Sequence, residues 1–585
     1  MMLNLIDKIG DWNPQLLREL KGRLKFFNVA IAVATSLLLQ LVVFVYQFRE
    51  FPDDKYSLIG TYCRLRQVYE PQQQNQIFKQ SNNASKFVDF NDFLSKNFCP
   101  ANEIDWQLWW RDHWEYIFLT FSVIFVFTLL VAGSYLLIND LAKEETRGTL
   151  NFIRLTPQSE TSILTGKLLG VPSLIYLVIL VAVPLHLLAG RYAEIAFSYI
   201  LSYYAILIVS CIFFYSASLL FGLVSRWFSG FQPWLGSGAV FLFLFTTILM
   251  ASSYSNGLNN STAWLRLFAP WDTINDLFPN LLRVYNGSQL KNLEFFYLPL
   301  GKNIVSVVGF HLLNLGLYSY GILQALKRCF RNPQASIISK RQSYLLVAFC
   351  QVMMWGFSLQ SWRNNSRFNE YVAQNLIFLA LYNLVLLLSL IAVLSPHRQD
   401  VQDWARYRHQ EVSSRKSVWR DLIWAEKSPA LVAIAINLTI VAIPWLPWIS
   451  LTSVFDTEYS DNFDKLKVLL AVALSISIIM IYATIAQLIL LLKTPKRSFW
   501  AIGTIGAVTL LPPMILEFLG ISLWNHPTIW LFSSFPWAAI QYSGATTIFM
   551  AFLAQLSVLA LLNFQLTKQV RLAGESATKA LLAGR

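Results

Sequence analysis

The chain has 585 residues, of which 55% are hydrophobic, 15% aromatic and only 14% charged, with a formal net charge of +13. Soluble domains carry about a quarter charged residues, so this balance excludes an ordinary water-soluble enzyme. The positive excess lies in short segments between long apolar runs, which suits a basic belt against anionic lipid and not a nucleic-acid surface.

Residues 1–25 are polar and basic and lack the short apolar stretch of a cleavable signal, so none is expected. Within them NPQLLRELKGRLK (13–25) predicts an amphipathic interfacial helix. Leu16, Leu17, Leu20 and Leu24 share one face and Arg18, Lys21, Arg23 and Lys25 the other. Asn13 suits the N-cap and Pro14 the first helical position. The simpler alternative is a basic cluster that only orients the first span.

Apolar runs then follow at 26–48, 116–138, 168–189, 197–224, 231–252, 303–326, 344–361, 371–395, 430–452, 466–492, 498–521 and 536–566. About 20 helical residues cross a bilayer core, and runs of this length satisfy their own backbone only as helices; barrel strands are shorter and alternate. The expected fold is therefore an all-α polytopic membrane protein of about 12 transmembrane helices, arranged as two six-helix bundles with an outer cap. The expected division is an interfacial helix over 1–25, a six-span unit over 26–330, a second, diverged unit over 331–566 and a tail over 567–585. Asn-Pro-Gln opens the segment before the first span and again, as NPQASIISKRQS (332–343), the segment before the seventh. Lys and Arg concentrate on one side and place both termini in the cytoplasm.

Two outer segments exceed ordinary loops. Residues 49–115 hold Tyr56, Tyr62, Phe87, Phe90, Phe93, Trp106, Trp109 and Trp110, enough aromatic surface for a small folded cap. Residues 253–302 read as short helices at the outer interface. Cys63 and Cys99 both fall in the first segment: either they form a disulfide in an oxidising compartment or they are two unrelated thiols. No Cys/His cluster has metal-ligand spacing.

The apolar runs hold almost no acid or base. Their main polar residues are His186, His311, Asn314, Asn437, Gln487 and Gln555, and the histidines are expected to be neutral and hydrogen-bonded between helices. The absence of a mid-span carboxylate argues against a proton relay. No phosphate-binding loop occurs; Thr165-Gly166-Lys167-Leu168 lacks the first glycine and the hydroxyl residue such a loop needs. If ATP drives this chain, ATP and magnesium belong to a partner and no cofactor is expected here.

Between the second and third spans lies EETRGTLNFIRLTPQS (144–159). Asp140–Arg154 predicts a short helix at the inner surface, bent or interrupted at Gly148. Thr156 is the expected cap of the next helix, Pro157 its first residue, and Glu160 complements its dipole. From the physics alone this piece is either a lever that takes motion from a soluble partner or a passive helix lying on lipid.

Glu144-Glu145-x-Arg147-Gly148-Thr149-Leu150, then Leu155-Thr156-Pro157-x-Ser159 and Ile163-Leu164-x-Gly166-Lys167, resembles the coupling segment of type-two ATP-binding-cassette permeases. The resemblance covers residues 13–326. It implies that Glu144, Glu145, Arg147, Gly148, Thr149 and Leu150 meet an ATPase subunit, while Leu155, Thr156 and Pro157 shape the turn into the third span. Asn151 departs from the acid that often follows the leucine. The second half has the corresponding loop (396–429), with Glu426-Lys427-Ser428-Pro429 at its corner, but not the Arg-Gly-Thr-Leu letters. Either the chain is a pseudo-dimer with two unequal docks, or two permease chains pair through their first halves.

The resemblance implies the permease of an exporter in a bacterial plasma membrane, energised by a separate ATPase, with a lipid-like or amphiphilic substrate suited to the uncharged interior. The expected partners are that ATPase and the bilayer, with no nucleic acid, and the chain itself is expected not to be an enzyme. The alternatives are an ion-coupled secondary transporter with two six-span halves and a membrane-embedded enzyme built on the 49–115 cap.

Overall fold

An apolar chain in lipid must bond every backbone amide internally, and this one does so by coiling. A computed structural model describes the chain apart from residues 1–7, 9, 49–51, 53–54, 71–95, 226–229, 253–260, 282–288, 333–334, 360–367, 411–414, 452–464, 495, 541 and 576–585. It is 81% helical with no strands among the described residues, and 11 of its helices are long and apolar enough to cross a membrane. The chain is an all-α polytopic membrane protein. Phe87, Phe90, Phe93, the second Pro-Gln and the last ten residues of the expected tail lie outside the described residues.

In chain order the helices are α1 (Pro14–Arg23), α2 (Phe26–Phe48), α3 (Trp106–Phe127), α4 (Gly133–Thr146), α5 (Thr149–Arg154), α6 (Glu160–Gly170), α7 (Ser173–Tyr192), α8 (Phe197–Val224), α9 (Gln232–Ser252), α10 (Thr262–Arg266), α11 (Trp271–Leu277) and α12 (Ile304–Arg331). There follow α13 (Lys340–Ser358), α14 (Phe368–Leu394), α15 (Arg398–Gln410), α16 (Arg415–Trp424), α17 (Leu431–Leu451), α18 (Lys465–Leu490), α19 (Arg497–Phe518), α20 (Pro527–Trp530), α21 (Pro536–Ile540) and α22 (Ala545–Gly574).

The expected twelve spans become eleven because α13, where a span over 344–361 was expected, opens on Lys340 and Arg341 and carries Gln342, Ser343 and Gln351. Val347, Met354 and Phe357 are buried in protein, while Leu345 and Val352 are exposed. The expected span at 536–566 is also displaced. Residues 541–544 separate α21 from α22, which starts at Ala545 after Gly544 and continues to Gly574 into the expected tail. The run at 168–189 is divided by Val171-Pro172 into α6 and α7, since proline ends one helix and starts the next.

The chain forms two compact units. The first comprises residues 1–254, 268–288 and 304–330, and the second 255–267, 289–303 and 331–585. The outer segment 253–302, expected within the first unit, is therefore shared out. The contacts explain why: the Ser261 amide donates to Asn375 Oδ1 at 2.9 Å, and Trp264 meets Tyr382 edge to face. The Phe296 amide donates to the Gly356 carbonyl at 2.8 Å. Six of the candidate spans lie in the first unit and five in the second.

In the first unit the described part of the cap folds around Leu58, Cys63, Cys99 and Ile104, with Tyr56, Tyr62 and Trp106 against them. Cys63 and Cys99 are joined as a disulfide, Cα atoms 6.0 Å apart. Below it α3 and α4 run as one 41-residue span through a π-helical turn at Thr128–Ala132. Such a turn carries an extra residue and loosens the carbonyl ladder. Tyr215 on α8 donates to the Leu129 carbonyl at 2.8 Å, and its ring lies where a Cβ on Gly133 would stand, 2.2 Å from the hydroxyl. Above the turn Phe118, Phe121, Phe125 and Tyr203 form an aromatic core. His186 is buried in it, with Nε2 3.0 Å from Ser122 Oγ and Nδ1 2.7 Å from the Tyr204 hydroxyl, so both ring nitrogens are bonded.

The Gly133–Tyr215 contact leaves no room for a methyl group. Gly133→Ala should lower stability by roughly 1–3 kcal/mol through overpacking, and Tyr215→Phe by about 1 kcal/mol through one lost hydrogen bond. The thermal midpoint of the detergent-purified protein reads both; an unchanged midpoint for Gly133→Ala would contradict the close packing.

Candidate functional site

Asn13 fixes the start of α1 as the sequence suggests, its Oδ1 accepting from the Leu16 amide at 2.9 Å. The same side chain reaches across, Nδ2 donating to the Ser162 carbonyl on α6 at 2.8 Å. The face that α1 buries is polar: Gln15, Leu16 and Glu19 are buried, whereas Leu17 and Leu20 are half-buried and Leu24 is exposed. The expected leucine face is thus split, and the helix meets protein along the Asn13–Glu19 line. Gly166 and Gly170, one turn apart on α6, permit the approach: a Cβ on Gly166 would stand 2.8 Å from the Leu16 amide nitrogen, and one on Gly170 2.5 Å from Glu19 Cβ.

Lys167 lies between those glycines and is fully buried. Its Nζ is 2.7 Å from Asp140 Oδ2, 2.7 Å from Glu144 Oε2 and 3.9 Å from Glu19 Oε1. Arg18 closes the cluster on Glu144 at 2.9 Å, and Arg23 pairs with Asp140 at 2.5 Å and with Glu19 at 3.3 Å. Two arginines of α1 and the lysine of α6 thus face three carboxylates, one from α1 and two from α4. The carboxylate oxygens lie within 4.8 Å of one another, near enough to share a metal ion, but the cation among them is the lysine ammonium. Burial would pull that ammonium down; Asp140, Glu144 and Glu19 outweigh it and hold its pKa above the ordinary lysine value. Burial, then Asp140, raises Glu19 against the pull of Lys167 and Arg23. The stability that Lys167 contributes is complete below the ordinary lysine pKa and is lost only as pH rises through the raised folded value. At neutral pH Lys167 is therefore charged.

Beside the clamp the chain turns sharply. Gly148, at φ 72°, ends α4 in the left-handed region that glycine occupies at no steric cost, and Thr149 Oγ1 donates to the Glu144 carbonyl at 3.2 Å. Residues 140–146 are thus the last turns of the second span, and the short surface helix is only α5, six residues long. Leu150 and Ile153 are buried and anchor it, and the Arg154 guanidinium lies 5.6 Å over the Phe330 ring. That leaves Phe152 and Leu155 outward at 73% and 85% exposure, with Arg147, Gly148 and Thr149 exposed beside them. Thr156 does not cap the next helix: its hydroxyl donates to the Ile153 carbonyl at 2.7 Å. Ser159 is the cap, accepting from the Ser162 amide at 3.2 Å, and α6 starts at Glu160, not Pro157.

Of the residues expected to meet a partner, the structure places Arg147, Gly148, Thr149, Leu155 and Pro157 at the surface and Glu145 and Thr156 half-buried. Glu144 and Leu150 are turned inward. The sequence reading missed Phe152, Glu19, Asp140 and Lys167. Two signals were available: the acids at 140 and 144 stand one turn apart, and a Gly-x-x-x-Gly pair brackets the lysine.

The second unit anchors its corresponding corner differently. Lys340, also buried, donates to Ser428 Oγ at 2.6 Å and to the carbonyls of Leu422 and Pro429 at 2.9 and 3.2 Å. With no carboxylate that close, burial lowers this lysine to about 8, against the weaker pull of Asp421 and Glu426. Its folded pKa is below the unfolded one, so its buried charge is a constant cost below about pH 8, and stability rises from there towards the ordinary lysine pKa of 10.5. At membrane depth the Asn437 amide reaches Ser343 Oγ at 3.0 Å, Gln555 bonds Ser477 and the Leu531 carbonyl, and His311 pairs with Thr273 at 3.0 Å. Asn314 and Gln487 have no side-chain partner among the described residues.

The two lysines should respond unequally to truncation. Lys167→Met leaves three carboxylates facing one another and should cost about 3–5 kcal/mol, as breaking a buried ion pair does. Lys340→Met loses hydrogen bonds but also removes a poorly compensated charge, and should cost about 1–2 kcal/mol. Thermal midpoints at pH 7 compare them; a larger loss for Lys340→Met would contradict the assignment of charge compensation.

A family model described as ABC-2 family transporter protein matches residues 27–321, from the first span into α12. No curated protein and no solved structure matches the chain. The matched stretch includes the motif at 144–167 that suggested the resemblance and the α4–α6 side of the clamp. On these grounds the chain belongs to the ABC-2 family of transporter proteins, as a multi-pass permease component and not a catalytic one.

Proposed function

We propose that this permease works in a bacterial plasma membrane, with both termini cytoplasmic, as an exporter of an amphiphilic or lipid-like substrate energised by a separate ATP-binding-cassette subunit. The ATPase docks on α5 and its flanks, where Arg147 and Thr149 rim an apolar contact made by Phe152 and Leu155. The observation that carries the reading is the exposure of those two large apolar side chains on a helix whose other face, Leu150 and Ile153, is fixed in the fold. Exposed apolar pairs of this kind, rimmed by polar residues, mark interaction sites.

The geometry also supports transmission. Through Gly148 α5 follows the end of the second span, and the Lys167 cluster ties that end to α1 and to α6, which leads into the third span. A push on α5 therefore moves three elements together. Glu144 belongs to this brace and Leu150 anchors α5; neither is part of the docking surface. The halves act as a pseudo-dimer with unequal docks: the second unit's loop exposes Trp419 and Trp424 on α16 in place of Phe152 and Leu155.

Affinity capture of the full chain from native membranes tests the proposal. The wild type should bring down an ATP-binding-cassette subunit at two copies per chain, and Phe152→Asp with Leu155→Asp should reduce this to one. Lost apolar anchors at a contact centre cost about 2 kcal/mol or more, roughly thirtyfold in affinity. Capture without any ATPase, or an unchanged ratio in the double variant, would overturn the reading.

A further inference from the structure

The first unit holds an apolar groove of about 580 Å³ that the docking segment leaves unexplained. This is within the roughly 300–1,000 Å³ of small-molecule sites. Its walls are α7, α8 and α12, through residues such as Ile179, Leu207 and Leu323. Leu180 and Ile208 are exposed along it, so it opens sideways, where the surroundings of a membrane helix are hydrocarbon. Its lining on α8 runs from Tyr204 to Tyr215. At about 1.5 Å per residue that is roughly 16 Å over the middle of α8, close to half of the ~30 Å hydrocarbon core.

Only one end of the groove is strongly polar. Thr161 and Thr165 on α6 and Lys327 on α12 line it there, on the same side as α5. Thr165 gives its hydroxyl proton to the Thr161 carbonyl. Lys327 is half-buried, and no carboxylate pairs with it among the described residues. A lone ammonium at one end of a long apolar groove is complementary to one kind of molecule, a chain of methylenes ending in an anion.

We infer that this groove binds an anionic amphiphile, its acyl chain lying along α7 and α8 and its phosphate or carboxylate head paired with Lys327. The occupant enters sideways from the leaflet on the α5 side. This deepens the permease reading and rests on it, since it names the substrate class that the first unit would take up next to its docking helix.

The test uses the full chain in phosphatidylcholine nanodiscs without any ATPase. The probes are a photoactivatable lysophosphatidic acid and the matching lysophosphatidylcholine. The anionic probe should label peptides within 161–183 and 204–215, and Lys327→Gln should weaken its labelling about tenfold, the effect of losing one charge-assisted contact. Ile208→Trp, a change at an exposed position, should obstruct the groove and abolish labelling without lowering the thermal midpoint. Equal labelling by the two probes, indifference to both variants, or cross-linking of a second copy of the chain through the groove would overturn the inference. Displacement by millimolar inorganic phosphate would overturn the lipid source, because the head alone would then suffice. Labelling that fails while ATPase capture persists removes only this inference; capture that fails while labelling persists removes the transporter reading instead.

Discussion

A lysine ammonium cannot be buried without opposite charge close by, and Lys167 obtains that charge from two other helices at once. The constraint is strict because the compensation is shared. Asp140 and Glu144 hang from the end of the second span, Glu19 comes from α1, and the lysine itself leads into the third span. Moving any one helix away leaves a buried charge uncompensated on another. Gly166 and Gly170 set the distance, since any side chain on either would force α1 off α6. The short helix α5 inherits its position from this arrangement, being only a glycine turn away from Glu144.

The second unit solves the same local problem, a buried lysine beside the loop between its first two long helices and the next, with carbonyls and a serine hydroxyl. Neutral acceptors hold an ammonium in place but compensate its burial less well than carboxylates, which is why Lys340 is depressed where Lys167 is raised. The first corner is thus charge-locked and the second is held by neutral acceptors. This inequality parallels the sequence, which carries the Arg-Gly-Thr-Leu letters only in the first half.

Much of the fold was legible because hydrocarbon imposes one rule on every span: sustained apolar length predicts a helix, and eleven of the described helices are long and apolar enough to cross a membrane. The exceptions share a cause. Helix α13 carries Ser343 and Gln351, which bond Asn437 and Asn383 from other helices, and the outer segment 253–302 was divided between the units by contacts to Asn375, Tyr382 and Gly356 that no local pattern announces. The site was half legible. Gly148 was correctly marked as the break, because a glycine between helical stretches has a conformational reason to be there. Thr156 was misplaced as a cap because Ser159, three residues on, is an equally good cap and the hydroxyl of Thr156 found a nearer carbonyl. The clamp was legible only in fragments, the acids at 140 and 144 and the Gly-x-x-x-Gly around Lys167, since Glu19 meets them only when α1 lies across α6.

We propose that an ATP-binding subunit meets this permease on the face of α5 that bears Phe152 and Leu155. A photo-cross-linking amino acid placed in turn at positions 152, 155 and 150 of the full chain in native membranes tests it most directly. Adducts to an ATP-binding-cassette protein are expected from 152 and 155, and none from the buried position 150. Adducts from none of the three, or adducts only to lipid, would contradict it.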